Sequence, residues 1–137
     1  MNKILEEILK KRMVVDSKGK EYPLYSHTSP EQGEFLSQLV TQVDANVCVE
    51  VGLAYGISSL YIAEAISKQT APRLISMDPW EKQCWHDIGL LNLERAGYSS
   101  FVEFHPEYSH FVLPQLLANG ERLDFAYVDT VKVSICC

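Results

Sequence analysis

Val47-Cys48-Val49-Glu50-Val51-Gly52-Leu53-Ala54-Tyr55-Gly56-Ile57-Ser58-Ser59 is the stretch that decides the fold. Val47, Val49 and Val51 favour extended backbone and predict a buried strand, and the helical pattern resumes only after Gly56. Between the two, Gly52, Ala54 and Gly56 let the main chain pass close to a ligand, because larger side chains would fill that space. The helix behind the turn offers unpaired amides and the positive end of its dipole. Strand, small-residue turn and helix in that order predict a nucleotide-like ligand.

The rest of the chain repeats the alternation. Upstream, Ile4, Leu5, Ile8 and Leu9 predict a short amphipathic helix that breaks near Asp16-Ser17-Lys18-Gly19. Ser29 as N-cap and Pro30 at the first helical position open a second helix, with Phe35, Leu36, Leu39 and Val40 on its apolar face. Downstream, a helix runs through Leu60, Tyr61, Ala65 and Ile66, and Arg73 to Asp78 is a second strand ending in an acid. A helix from about Trp85 to Ala96, a strand from Phe101 to Phe104 and a helix from Ser109 to Asn119 follow. Leu123 to Asp129 is a fourth strand, again ending in an acid. Strands alternating with helices predict an α/β fold, a parallel sheet with right-handed crossovers and helices on both faces. A ligand belongs at the carboxyl ends of such strands, where Glu50, Asp78 and Asp129 all fall.

Composition narrows the setting. The 137 residues fit one domain, 1–45 supplying N-terminal helices and 46–129 the α/β core. A formal net charge of −6 without a basic block argues against nucleic acid as partner. No run approaches the roughly eighteen apolar residues of a membrane span. The opening Met1-Asn2-Lys3-Ile4-Leu5-Glu6-Glu7 lacks a signal-peptide core, so the expectation is a soluble cytoplasmic protein with no membrane partner. Cys48, Cys84, Cys136 and Cys137 show no zinc spacing, and Ser134 stands where a prenylation box needs cysteine. Free thiols in a reducing compartment are expected.

The strand-end acids bear on which ligand. Asp78 should end the strand beside the first, where an acid accepts hydrogen bonds from both hydroxyls of a ribose. NAD and S-adenosylmethionine (SAM) both carry that ribose, but a dinucleotide site wants G-x-G-x-x-G around its pyrophosphate. This turn reads Gly52-x-Ala54-x-Gly56 and is preceded by Glu50. A carboxylate there repels a pyrophosphate and suits the ammonium and sulfonium end of SAM, which disfavours an NAD-dependent oxidoreductase.

With those residues in place, the chain resembles the class I SAM-dependent methyltransferases. The E-V-G-x-x-x-G-x-S run from Glu50 to Ser58 resembles their first motif and the strand ending at Asp78 their second. Leu123 to Asp129 resembles their fourth strand, and the likeness runs from about Ser26 to Asp129. It is closest to the small-molecule O-methyltransferase-like members. The resemblance implies a Rossmann-like sheet of order 3-2-1-4. It implies that Gly52, Ala54 and Gly56 line the methionine part of SAM, with Ser58 near its carboxylate. Asp78 would hold the ribose, Pro79 or Trp80 would border the adenine, and Thr28 would close over the cofactor. In catechol-O-methyltransferase-like enzymes the fourth strand ends in D-x-x-K, and Asp129-Thr130-Val131-Lys132 is similar. That likeness implies Asp129 as ligand of a divalent cation and Lys132 as the base for the acceptor hydroxyl. The implied reaction is in-line methyl transfer from SAM to a small-molecule acceptor, through oxygen. Alignment supplies much of the rate, and an oxygen acceptor must also be deprotonated.

The chain departs from the family after Asp129. Members continue with three further strands carrying the remaining metal ligands and much of the acceptor pocket, whereas this sequence stops at Val131-Lys132-Val133-Ser134-Ile135-Cys136-Cys137. The expectation is a C-terminally shortened methyltransferase, with a non-catalytic SAM-binding or dimerising domain as the alternative. Without the later strands, Phe125, Tyr127 and their neighbours form an apolar sheet edge, which tends to pair with another chain. Val131, Val133 and Ile135 alternate with Lys132 and Ser134, so the tail itself reads as a strand. A homodimer through the fourth-strand edge or the tail is expected.

Several residues keep two readings. Glu50 is a ligand contact or a carboxylate capping local amides, and its place before Gly52 favours the ligand. Asp129 is a metal ligand or the cap of a turn; Lys132 is a base or a solvated lysine. His86 and His105 are candidate bases, as imidazole is the usual side chain for that role, set against capped or solvated histidines. His27 and His110 carry no signal. Trp80 and Trp85 stack on a ligand or simply pack.

Overall fold

The computed structural model describes residues 1–25 and 28–129. Its first element is the amphipathic helix α1 (Lys3–Lys11), capped by the Asn2 side chain, which accepts from the Ile4 amide at 2.9 Å. Leu5 and Ile8 bury its apolar stripe. The break expected after it is a hairpin of two short strands, β1 (Met13–Val15) and β2 (Glu21–Pro23), paired antiparallel. Asp16 closes the connecting turn, its carboxylate accepting from the Lys18 and Lys20 amides at 2.9 Å each.

Helix α2 (Pro30–Gln42) starts at Ser29 and Pro30 as expected. Ser29 and Gln32 form a reciprocal capping box that satisfies two amides of the first turn. The parallel sheet consists of β3 (Val47–Val51), β4 (Arg73–Met77), β5 (Val102–His105) and β6 (Phe125–Val128) in the order β5-β4-β3-β6. Counted within that sheet, this is the expected 3-2-1-4. Cys48 pairs with Leu74 on one side and Phe125 on the other, and Glu50 with Ser76 and Tyr127.

Alternation along the strands sorts side chains onto two faces. Val49, Val51, Ile75 and Met77 pack with Val112 and Leu116 of α6 (Ser109–Ala118). Cys48 and Leu74 point the other way, into the larger core built by α1, α2, α3 (Ile57–Ile66) and α5 (Ile88–Arg95). Helices therefore cover both faces of the sheet, as the sequence predicts. Helix α2 lies so close to α3 that a Cβ at Gly33 would fall 2.1 Å from the Tyr61 ring.

One helix boundary differs from expectation. The segment read as a single helix from about Trp85 to Ala96 is two, α4 (Glu81–Trp85) and α5, separated by His86 and Asp87 with φ of 56° and 57°. Two consecutive non-glycine residues in the left-handed region stop a helix, and the His86 ring is held there by stacking on Tyr22 at 4.4 Å. At the amino ends of the strands, Arg73 bridges Glu103 at 2.8 Å and Glu121 at 2.8 Å. The Asp124 carboxylate accepts the Asn46 and Val47 amides there, at 2.9 Å each.

Cys48 is buried and free, as expected, whereas Cys84 is not a free thiol, which corrects the expectation for that residue. Among the described residues no helix is long and apolar enough to cross a membrane. The expected tail strand at Val131, Val133 and Ile135 lies outside the described residues, as do Cys136 and Cys137.

Candidate functional site

The site is built where β3 and β4 end. Beyond Val51 the chain enters the turn Gly52-Leu53-Ala54-Tyr55-Gly56, with φ positive at Gly52 (98°), Ala54 (50°) and Gly56 (81°). Glycine tolerates that region, but for Ala54 it costs about 1 kcal/mol, so the surroundings must hold it there. They do so from four sides. Gly56 N donates to Leu53 O at 2.9 Å, and the buried Asn92 side chain donates to Tyr55 O at 3.0 Å. Gly89 lies beneath the turn, so close that a Cβ on it would fall 2.3 Å from Ala54 O. The Asp78 carboxylate closes the set. One oxygen accepts from Leu53 N at 3.0 Å and Ala54 N at 3.2 Å, the other from Trp80 N at 2.9 Å.

Asp78 thus does more than end a strand. It is nearly buried and carries three of the roughly four hydrogen bonds that an ionised carboxylate can accept. The remaining capacity is what a ribose hydroxyl can use. Next to it, Trp80 has a buried indole N–H with no partner among the described residues, and its ring meets Tyr108 edge-on at 6.3 Å. Buried donors are rarely left unpaired, so an orphan here fits a site shaped for a ligand acceptor. Pro79, between them, is half-buried.

Helix α3 starts at Gly56 with no side chain capping its first amides. The hydroxyls of Ser58 and Ser59 both turn back to donate to Glu50, one to each carboxyl oxygen. Glu50 is wholly buried, and that burial raises its pKa to about 7 against the opposing pull of the two hydroxyls. The cap of local groups is therefore seen directly, though made by hydroxyls and not amides. Ser58 points to the same place from the helix side. Thr28 is buried just before α2 and lies beside the Tyr127 hydroxyl, which brings it over the ends of β3 and β6. Glu50, Gly52, Ala54, Gly56, Ser58, Asp78, Pro79, Trp80 and Thr28 all belong to this carboxyl end of the sheet.

The catalytic expectations fare differently. Asp129 sits beyond β6, its amide bonded to Val51 O at 3.0 Å and its side chain exposed. Lys132 lies outside the described residues, as does His27. Among the described residues no group of three His, Cys, Asp or Glu side chains could hold a metal ion. The described donors therefore do not fit a divalent cation, and no step is derived through one. His86 stacks on Tyr22 of the hairpin at the end of α4, and His105 pairs with Met77 in the sheet.

Sequence reasoning missed Glu81, Gly89, Asn92 and Tyr127. Glu81 and Asn92 are buried polar residues, and a solvated helix face has the same sequence signature. It also missed an aromatic cluster in which Tyr55 meets Trp85 at 5.0 Å and Tyr25 at 5.8 Å, fastening the turn to α4. Trp85 is thus the packing residue of the two tryptophans.

The match to a known family spans almost the whole chain: the O-methyltransferase family model covers residues 2–136. The chain belongs to the O-methyltransferase family. Caffeoyl-CoA O-methyltransferase 2 of Petunia hybrida is 32% identical over 108 residues, covering 77% of this chain and 43% of the relative. Catechol O-methyltransferase of Niastella koreensis is 31% identical over 105 residues, 76% of this chain and 46% of the relative. The crystal structure of an O-methyltransferase from Bacillus cereus in complex with SAH superposes with a TM-score of 0.72 at 28% identity, covering 95% of this chain and 55% of that one. The chain spans about half the length of the O-methyltransferases it matches. The turn, Asp78 and the four strands of the sheet all lie within the residues that the family model covers.

Proposed function

We propose that this chain binds SAM at the carboxyl ends of β3 and β4 and serves O-methylation of a small-molecule acceptor. The observation that carries the reading is the joining of the Gly52–Gly56 turn to Asp78 in a member of the O-methyltransferase family. In that reading Gly52, Ala54 and Gly56 receive the methionine part, and Ser58 and the α3 amides face its carboxylate. Asp78 uses its remaining acceptor capacity on the ribose, and Trp80, with Pro79, borders the adenine. Glu50 stands behind the turn with its two oxygens held by the Ser58 and Ser59 hydroxyls, and Thr28 covers the site from just before α2. The cofactor supplies a methyl group on a sulfonium, so the chain's part is alignment and exclusion of water. The test is calorimetric titration with SAM, S-adenosylhomocysteine and NAD. Saturable binding of the first two and not of NAD is expected. A folded chain that binds neither, or prefers NAD, overturns the reading.

The second reading is a module that grips the cofactor or a second copy without methylating. It is favoured by exposed apolar groups on β6 and α6. Val128 on β6, the last described strand of the sheet, is 67% exposed, and Leu117 and Phe111 on α6 are 80% and 55% exposed. A homodimer covering this side follows from the tendency of open strand edges to pair. Sedimentation that stays monomeric at every concentration refutes the dimer. Transfer of a labelled methyl from SAM to catechol-type diols separates the two readings. We propose a cytoplasmic location for the chain.

A further inference from the structure

Glu81 is the most deeply buried acid near the site that the proposed role in SAM binding leaves unused. It is 1% exposed, although it opens a short helix whose neighbours Lys82 and Gln83 are exposed. One carboxyl oxygen, Oε2, accepts from the Gly89 amide at 2.9 Å; the other has no partner among the described residues. The position probed by a Cβ on Gly89 lies 2.3 Å from Ala54 O, 2.8 Å from Glu81 Oε2 and 2.8 Å from Leu53 Cγ. Carboxyl, glycine and turn are therefore in direct succession. The amides of Leu53 and Ala54 are those that Asp78 grips from the other side.

We infer that Glu81 is a positioning residue for cofactor binding: by anchoring the start of α5 through Gly89, it seats that helix under Ala54 and keeps the turn in the shape that receives SAM. The inference rests on the proposed SAM site. The anchor is needed because α5 begins at Asp87, whose own side chain makes no capping bond. Without an acceptor the first amides of α5 would be left unpaired in a buried place, and Gly89 would lose its seat.

The groups facing Glu81 are acidic or neutral: Asp78 from the end of β4, Asp87 from the junction before α5 and Tyr55 from the turn. Burial first, and the Asp78 charge second, hold its carboxyl protonated up to about pH 9. A glutamine keeps the same shape, an oxygen for Gly89 and a donor in place of the acid proton. An alanine keeps none of these.

The experiment compares the parent chain with Glu81→Gln and Glu81→Ala by amide hydrogen exchange without ligand and by titration with S-adenosylhomocysteine. Faster exchange over residues 52–56 and 88–90 in Glu81→Ala alone is expected, with affinity about ten-fold weaker, while Glu81→Gln behaves as the parent. Between pH 7.5 and 10 the parent should lose more affinity than Glu81→Gln, because only the parent gains a second charge beside Asp78. That comparison uses two variants of the same shape and holds even where Glu81→Ala does not fold. Unchanged exchange and affinity in Glu81→Ala, or identical pH profiles in parent and Glu81→Gln, overturn the inference while the SAM site stands. A folded parent that binds no S-adenosylhomocysteine sinks both, whatever the exchange pattern.

Discussion

Replacing Asp78 with alanine should destabilise the protein before any ligand is added. The carboxylate accepts three amides: Leu53 N in a buried place, and Ala54 N and Trp80 N partly buried. Stranding the buried amide costs about 1–3 kcal/mol, and the two partly wetted ones about half as much each because water replaces part of the bond. Removing the Asp78 charge also relieves Glu81, whose pKa it helps to raise, and returns part of the loss. The net expectation is a loss of about 2–4 kcal/mol, a large share of the stability of an ordinary domain. Equilibrium urea unfolding at neutral pH measures it, as a lower midpoint with an unchanged slope. Asp78→Asn should fall between, since its oxygen keeps one set of amides while its NH2 faces the other. A loss below about 1 kcal/mol for Asp78→Ala would refute the reasoning, because the turn would then hold its shape without the carboxylate. The same result would make reduced SAM affinity in that variant a clean report on ribose contact; with the expected loss, it reports on the turn as well.

Stability should fall as pH rises from about 4.5 to about 9. The unfolded chain releases the Glu50 and Glu81 protons near the ordinary value of 4.5, while the folded chain holds them to about 7 and about 9, so unfolding releases protons throughout that window. Urea midpoints at pH 5, 7 and 9 check it, and a rise across the series contradicts it. Gly33→Ala should cost about 1–3 kcal/mol, because its Cβ meets the buried Tyr61 ring and must part α2 from α3; an unchanged melting temperature would count against that packing. Ser29→Ala removes one arm of the capping box and should cost about 1 kcal/mol, read as a lower melting temperature with the sheet intact. A variant that melts with the parent would mean the cap is replaced by water.

Much of the fold can be read from the residues because its signals are local and of adequate length. Val47 to Val51 and Arg73 to Met77 are five-residue apolar strands, and Ser29-Pro30 marks a helix start by its chemistry alone. The hairpin at Met13–Val15 and Glu21–Pro23 is not legible, since three residues are too few to show alternation. The division at His86 and Asp87 is hidden for another reason: neither is glycine or proline, and what turns the chain is the contact with Tyr22. At the site, Asp78 is visible as an acid in the right place, but its grip on the turn amides is not. Glu81 is invisible altogether, because an acid in a helical segment looks solvated until tertiary contacts bury it.

The central strand has a consequence for how the chain reaches its folded form. β3 takes β4 as one neighbour after a short helical crossover, but its other neighbour, β6, is contributed from far along the chain; Val47 and Asp124, bonded together, stand 77 residues apart. Loop closure over such a distance must precede the contacts that reward it, and contacts of this separation slow folding. An emerging chain can therefore assemble α2, β3, α3 and β4 early, while one rim of β3 waits for residues 125–128. Until they arrive, that rim is an unpaired strand edge, open to any extended peptide.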